Sequence, residues 1–134
     1  MIPDFHDGYL EGLFVSGKTA NIFLRMVTGQ TYTLVLRGVE RLHVDHFWEG
    51  NIILDLVFLQ PEQLTQDAIL GAYHTDEPWK GFVMQDWIQA AKRRGLQAIE
   101  ISASYGCEAQ ILFQHYELLQ GQAFLTGDGP EASK

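Results

Sequence analysis

Most of this chain alternates apolar and polar side chains with a period of two, and one long stretch does not. That contrast limits the fold to a sheet with a helical cover. The alternation is strictest over residues 21–27 and 31–37, joined by Thr28-Gly29-Gln30. Ile22, Leu24 and Met26 alternate with Asn21, Phe23 and Arg25, and Tyr32, Leu34 and Leu36 with Thr31, Thr33 and Arg37. Two such arms around a glycine turn predict a β-hairpin with one buried and one wetter face.

Further strands are expected at residues 9–15, 39–45, 52–59, 96–104 and 107–119. The run IILDLVFL, Ile52 to Leu59, is apolar on both faces and reads as a central strand. After Pro61 the spacing predicts a short helix, then a polar loop to Pro78. The exception to strand spacing is KGFVMQDWIQAAKRR, residues 80–94, where Phe82, Val83, Trp87, Ala90 and Ala91 share one side of a helix that stops at Gly95. The expected fold is a single α+β domain over residues 1–125: a mostly antiparallel, curved sheet of about six to seven strands, covered on one face by one long helix. The segment from Thr126 to Lys134 is expected to be a disordered tail.

Charge and cysteine content narrow the function. The net charge of −8, with nine Lys and Arg scattered along the chain, argues against nucleic acid as a partner. The local run Lys92-Arg93-Arg94 is accounted for as cations at the negative end of a helix dipole. Ile52 to Leu59 is far short of the ~20 apolar residues of a membrane helix, and the acidic N-terminus lacks the features of a secretory signal, so the expected location is cytoplasmic and away from membranes. The single cysteine, Cys107, excludes an intrachain disulfide. On one strand it would lie roughly 27 Å from His115, too far for a nucleophile pair. Nucleophile-elbow, phosphate-loop and dinucleotide motifs are absent, and no cofactor is expected.

Three features are candidates for function. His6, Asp7, His43, Asp45 and His46 carry ligand chemistry, and His43 and Asp45 would project from the same face of a strand; a divalent metal is the ligand they would suit. Asp55 interrupts an apolar strand, and either faces water, meets Arg25 or Arg37 across strands, or is a perturbed functional carboxylate. Trp48 and Trp79 fall in loop or helix-entry positions, where tryptophan is a lid over the core or an anchor for a protein partner.

The opening FHDGYLEGLFV, the hairpin, LRGVERLHV and the SASYG turn together resemble a group of small bacterial β-rich proteins that begin with a Phe-His-Asp strand. Some of these resemble the immunity proteins of polymorphic toxins. The specific pieces are Phe5-His6-Asp7 and Tyr105-Gly106; the rest is a pattern of strands over residues 5–118. The resemblance implies no activity and transfers no catalytic residue; with the acidic composition, the leading expectation is a non-enzymatic cytoplasmic binding protein of immunity type, whose negative surface would steer it onto a basic toxin domain. The rival expectations are a small metal-binding protein or enzyme using the His/Asp set, and a structural homodimer joined at an exposed strand edge or through Trp48 and Trp79.

Overall fold

The computed structural model describes residues 3–45, 51–72, 81–105 and 108–127. Its strands are β1 (Tyr9–Ser16), β2 (Thr19–Arg25), β3 (Thr31–Arg37), β4 (Arg41–Asp45), β5 (Asn51–Leu59), β6 (Gln97–Tyr105), β7 (Glu108–Phe113) and β8 (His115–Gln120). Two helices, α1 (Gln66–Ala72) and α2 (Gly81–Arg93), lie between β5 and β6 after a 3-10 turn at Pro61–Gln63. The strands form one antiparallel sheet in the order β4-β7-β6-β5-β1-β2-β3-β8.

That order conceals a closure. Arg37 pairs with His115, and beyond the break Arg41 pairs with Leu112. The segments β3–β4 and β7–β8 therefore run as one long antiparallel ribbon, interrupted only at Gly38–Glu40 and Gln114. Because β4-β7 and β3-β8 occupy opposite ends of the sheet, the ribbon must fold the sheet back on itself. At this corner the Gln114 N–H donates to the Arg37 carbonyl (3.0 Å) and the Glu40 N–H to the Leu112 carbonyl (2.8 Å). Gly38 sits there with φ 67, and a Cβ on it would meet the Gln114 side chain at 2.5 Å, so both conformation and space call for glycine. The opposite corner is the short β1–β5 pairing, Tyr9 with Ile52 and Leu10 with Asn51. The result is two four-stranded halves, β8-β3-β2-β1 and β5-β6-β7-β4, whose inner faces pack on each other.

The core lies between those faces. Ile22, Leu24, Leu34 and Leu36 of one half share a buried cluster with Ile53, Ile99, Ile101, Ile111 and Phe113 of the other. A ring stack closes the gap where the halves diverge: Phe58 on β5 lies 4.7 Å from Tyr116 on β8, and both rings meet Phe113 edge-on at 6.3 Å.

This corrects the expectation of one long helix over six or seven strands. Among the described residues the sheet has eight strands, because the run expected as a single strand over 107–119 breaks at Gln114. It also covers its own inner face, so the core needs no helix as a lid. The α2 helix packs on α1 and the 3-10 turn, while α1 rests on β7 and β4. Together they bury only an outer row at one end, where Leu112 and Ala98 join Leu64, Ile69, Ile88 and Ala91 with Leu59 beside them. Trp87, expected in the core, is half-buried at the edge of this second cluster. The helix stop does fall at Gly95, with φ 70: the Leu96 N–H donates to the Ala91 carbonyl and the Gly95 N–H to that of Lys92.

The face of the hairpin expected to be wetter is covered too. Asn21 and Thr33 are fully buried, because residues 121–127 cross the outside of β1, β2 and β3 as a strap. Gly127, at its end, donates to the Ser16 hydroxyl (3.2 Å). The rest of the expected tail, 128–134, lies outside the described residues.

Candidate partner-binding face

The N-terminal turn and a defect in β5 build the first part of the site. The Gly8 N–H donates to the Phe5 carbonyl (2.7 Å), closing a turn in which Asp7 takes φ 65, a conformation that aspartate tolerates better than most residues. Gly8 has to be glycine here, since a Cβ would lie 2.6 Å from the Arg25 carbonyl oxygen. The turn is pinned to β5 at one residue: Asp7 N–H donates to the Ile53 carbonyl and Ile53 N–H to that of Gly8.

Next to that anchor the β5–β6 register slips. Ile53 pairs with Ala103 and Asp55 with Ser102, so Leu54 is the extra residue of a bulge. Its carbonyl accepts from His6 Nδ1–H at 2.6 Å, and the Asp4 carboxylate accepts from the His6 backbone N–H at 2.9 Å. The bulge turns Leu54 and Asp55 both outward, leaving Leu54 43% exposed. Of the readings open for Asp55, the one realised is exposure to water. Arg25 instead meets Glu11 at 2.7 Å, and Arg37 meets Glu117 at 3.4 Å. A cleft of about 200 Å³ opens between the turn and β5, lined by Asp4, His6, Leu54, Asp55 and Phe58 among others.

The electrostatics of this cleft are acidic. His6 Nε2 lies 3.6 Å from the Asp7 carboxylate. The imidazole is held above its ordinary pKa, first by the hydrogen bond to the Leu54 carbonyl and then by Asp7, with Asp4 and Asp55 adding to it.

The second part of the site is the outer face of β5-β6-β7-β4. Residues directly opposite in an antiparallel ladder share a face. One row across the four strands is Val57, Glu100, Gln110 and His43. In the neighbouring rows Asp55 faces Ser102, and Asp45 faces Glu108. The helices pack against the adjoining row at Ala98 and Leu112, and the strap against β2 and β3. Asp45, Asp55, Val57 and Glu108 are exposed, and Glu100, Gln110 and His43 half-buried.

The proposed metal set is not assembled by the fold. His6 and Asp7 sit beside β5, whereas β7 and β6 stand between β5 and the strand carrying His43 and Asp45, a separation of roughly 14 Å at ordinary strand spacing. The first strand pairs with β2 and β5, not with β4. Among the described residues no three His, Cys, Asp or Glu side chains converge to hold a metal ion. His46, Trp48, Trp79 and Cys107 lie outside the described residues. Sequence reasoning passed over Glu100, Glu108 and the exposed pair Leu54 and Val57; the available signal was two large aliphatic residues flanking Asp55 in a strand too apolar for a wet face.

No known protein family, no curated protein and no solved structure matches this chain. No helix among the described residues is long and apolar enough to cross a membrane.

Proposed function

We propose that this is a non-catalytic binding module that docks a basic protein, in the manner of an immunity protein covering a toxin domain. One observation carries the reading: the outer face of β5-β6-β7-β4 combines exposed aliphatic side chains with a carboxylate on each strand. Leu54 and Val57 are 43% and 41% exposed, and around them stand Asp55, Glu100, Glu108 and Asp45 with Asp4 and Asp7 beyond the bulge. An apolar centre gives contact energy, and a rim of one sign steers and selects an oppositely charged partner. The overall charge of −8 acts in the same direction at longer range. The Phe5-His6-Asp7 turn, which with Tyr105-Gly106 carries the resemblance to small bacterial proteins, some of them similar to immunity proteins, shapes one border of this face.

The test is a parallel capture from extract of the native host, using the wild-type chain and a face variant, Asp55→Lys with Glu100→Lys. The expected result is a basic protein retained by the wild type at low salt, lost from the variant and weakened at high salt. Identical basic proteins recovered by both baits, or none by either, would reject the reading.

A further inference from the structure

The strap meets a built binding site rather than a smooth surface. Asn21 on β2 is fully buried, and its carboxamide reads the main chain of one strap residue at two points. Nδ2 donates to the Leu125 carbonyl (2.8 Å) while the Leu125 N–H donates to Oδ1 (3.1 Å). Nδ2 also donates to the Phe14 carbonyl, which fixes the amide orientation. Thr33, equally buried, does the same with one hydroxyl: it donates to the Gly121 carbonyl (2.8 Å) and accepts from the Ala123 N–H (2.9 Å). Between these two clamps the Phe124 ring leaves the main chain and lies against Phe14 at 5.5 Å and Phe23 at 5.0 Å.

These contacts recognise an extended segment by its backbone, with a single aromatic side chain as anchor. Phe124 remains 62% exposed, so the anchor is only partly withdrawn from water. At the strap's base Gly121 holds φ 81, a left-handed joint that turns the chain from β8 into the strap. Before it, β8 pairs with β3 through a ladder that ends where the Gly121 N–H meets the Thr31 carbonyl, and its Tyr116 ring packs on Phe58 and Phe113.

We propose that the outer face of β1–β3 is a site for an extended, aromatic-bearing strand, and that its exchangeable occupant is the strap of a second copy of this chain. The strap in place shows that this sequence fits. Every clamp atom it uses would be met identically whether the segment arrives from its own chain or from the other, so exchange conserves the clamp contacts and is decided by concentration.

Two full-length preparations carrying different affinity tags test this, mixed over a range of concentrations and followed by light scattering and tandem purification. Hybrid dimers should form as concentration rises, and a large excess of the synthetic peptide of residues 120–127 should suppress them at least several-fold. Amide exchange on the wild-type chain supplies a readout that needs no variant: Ala123 and Leu125 should exchange at least tenfold faster than the β2 and β3 amides beneath them. A chain that stays monomeric at every concentration overturns the proposal. So do dimers indifferent to the peptide, which would place the interface elsewhere, and strap amides that open only with the core.

Discussion

Asn21 and Leu125 stand 104 positions apart and are joined by two reciprocal hydrogen bonds, side-chain amide to main-chain amide. The pair explains why a strand of apolar character carries a buried asparagine. Asn21→Ala leaves the Leu125 and Phe14 carbonyls without their donor and should cost about 1–3 kcal/mol. Urea unfolding of the two chains measures it. A loss no larger than that of an exposed polar residue would show that the strap is not held there.

Phe58 and Tyr116 bring together two strands that are not neighbours in the sheet, at a ring separation of 4.7 Å. Phe58→Ala should therefore destabilise by about 2 kcal/mol, less than a fully buried phenylalanine because Phe58 is half-exposed. In a double-mutant cycle with Tyr116→Ala the coupling should be about 0.5–1.5 kcal/mol. Additive effects would mean that the stack does not join the two halves.

His6 makes a prediction in pH. Its folded pKa lies above the unfolded value of 6.5, chiefly through the Leu54 carbonyl and Asp7. Such a group contributes stability that is fully present below the unfolded pKa and is lost as pH rises through the folded one. The stability difference between wild type and His6→Gln should accordingly be larger at mildly acidic pH than at alkaline pH. An NMR titration should place the His6 midpoint above that of an unfolded peptide, and Asp7→Asn should move it down. A midpoint unchanged by Asp7→Asn would remove Asp7 as a cause.

Glu40 and Arg94 give the opposite sign. The guanidinium, 2.6 Å from the carboxylate, holds Glu40 below its ordinary pKa and ties the approach to β4 to the end of α2. That contribution is present above the unfolded pKa of 4.5 and fades as pH falls through the lower folded value. Glu40→Gln should lower stability near neutrality and make the acid limb of the stability curve shallower. An acid limb of unchanged slope would refute the linkage.

On the proposed binding face, Asp45 and Glu108 are directly opposite each other on adjacent strands, both exposed. Like charges in that position are unfavourable, so Glu108→Lys should raise stability by about 0.2–1 kcal/mol. The same substitution should weaken capture of a basic partner. A variant that is more stable but binds less would fit a surface kept acidic for recognition, and one that binds as well as the wild type would detach Glu108 from that role.

Local pattern made much of the chain legible. The glycine turn between β2 and β3, the helix stop at Gly95 and the inward set Ile99, Ile101, Ile111 and Phe113 all follow from spacing and from backbone conformations that neighbouring residues decide. Sidedness did not follow. Asn21 and Thr33 alternate with apolar neighbours as solvent-facing residues do, yet both are buried by a segment 104 and 88 residues further on. The His/Asp set looked like one site because its members read as two short clusters, and strand order then put β6 and β7 between them.

The sequence by itself determined most of the strand stretches, the glycine turns and the amphipathic helix, because each depends on side chains a few residues apart; the break at Gln114 was not among them. Only the tertiary structure decided what those strands enclose. Two bent strands, breaking at Gly38–Glu40 and at Gln114, fold the sheet onto itself, so it buries its own inner face and the helices are left to cover one outer corner. Which outer faces stay open then depends on the strap and the helices, through contacts between residues far apart in the chain. Periodicity reports that a strand has two faces; it carries no record of what will lie against each.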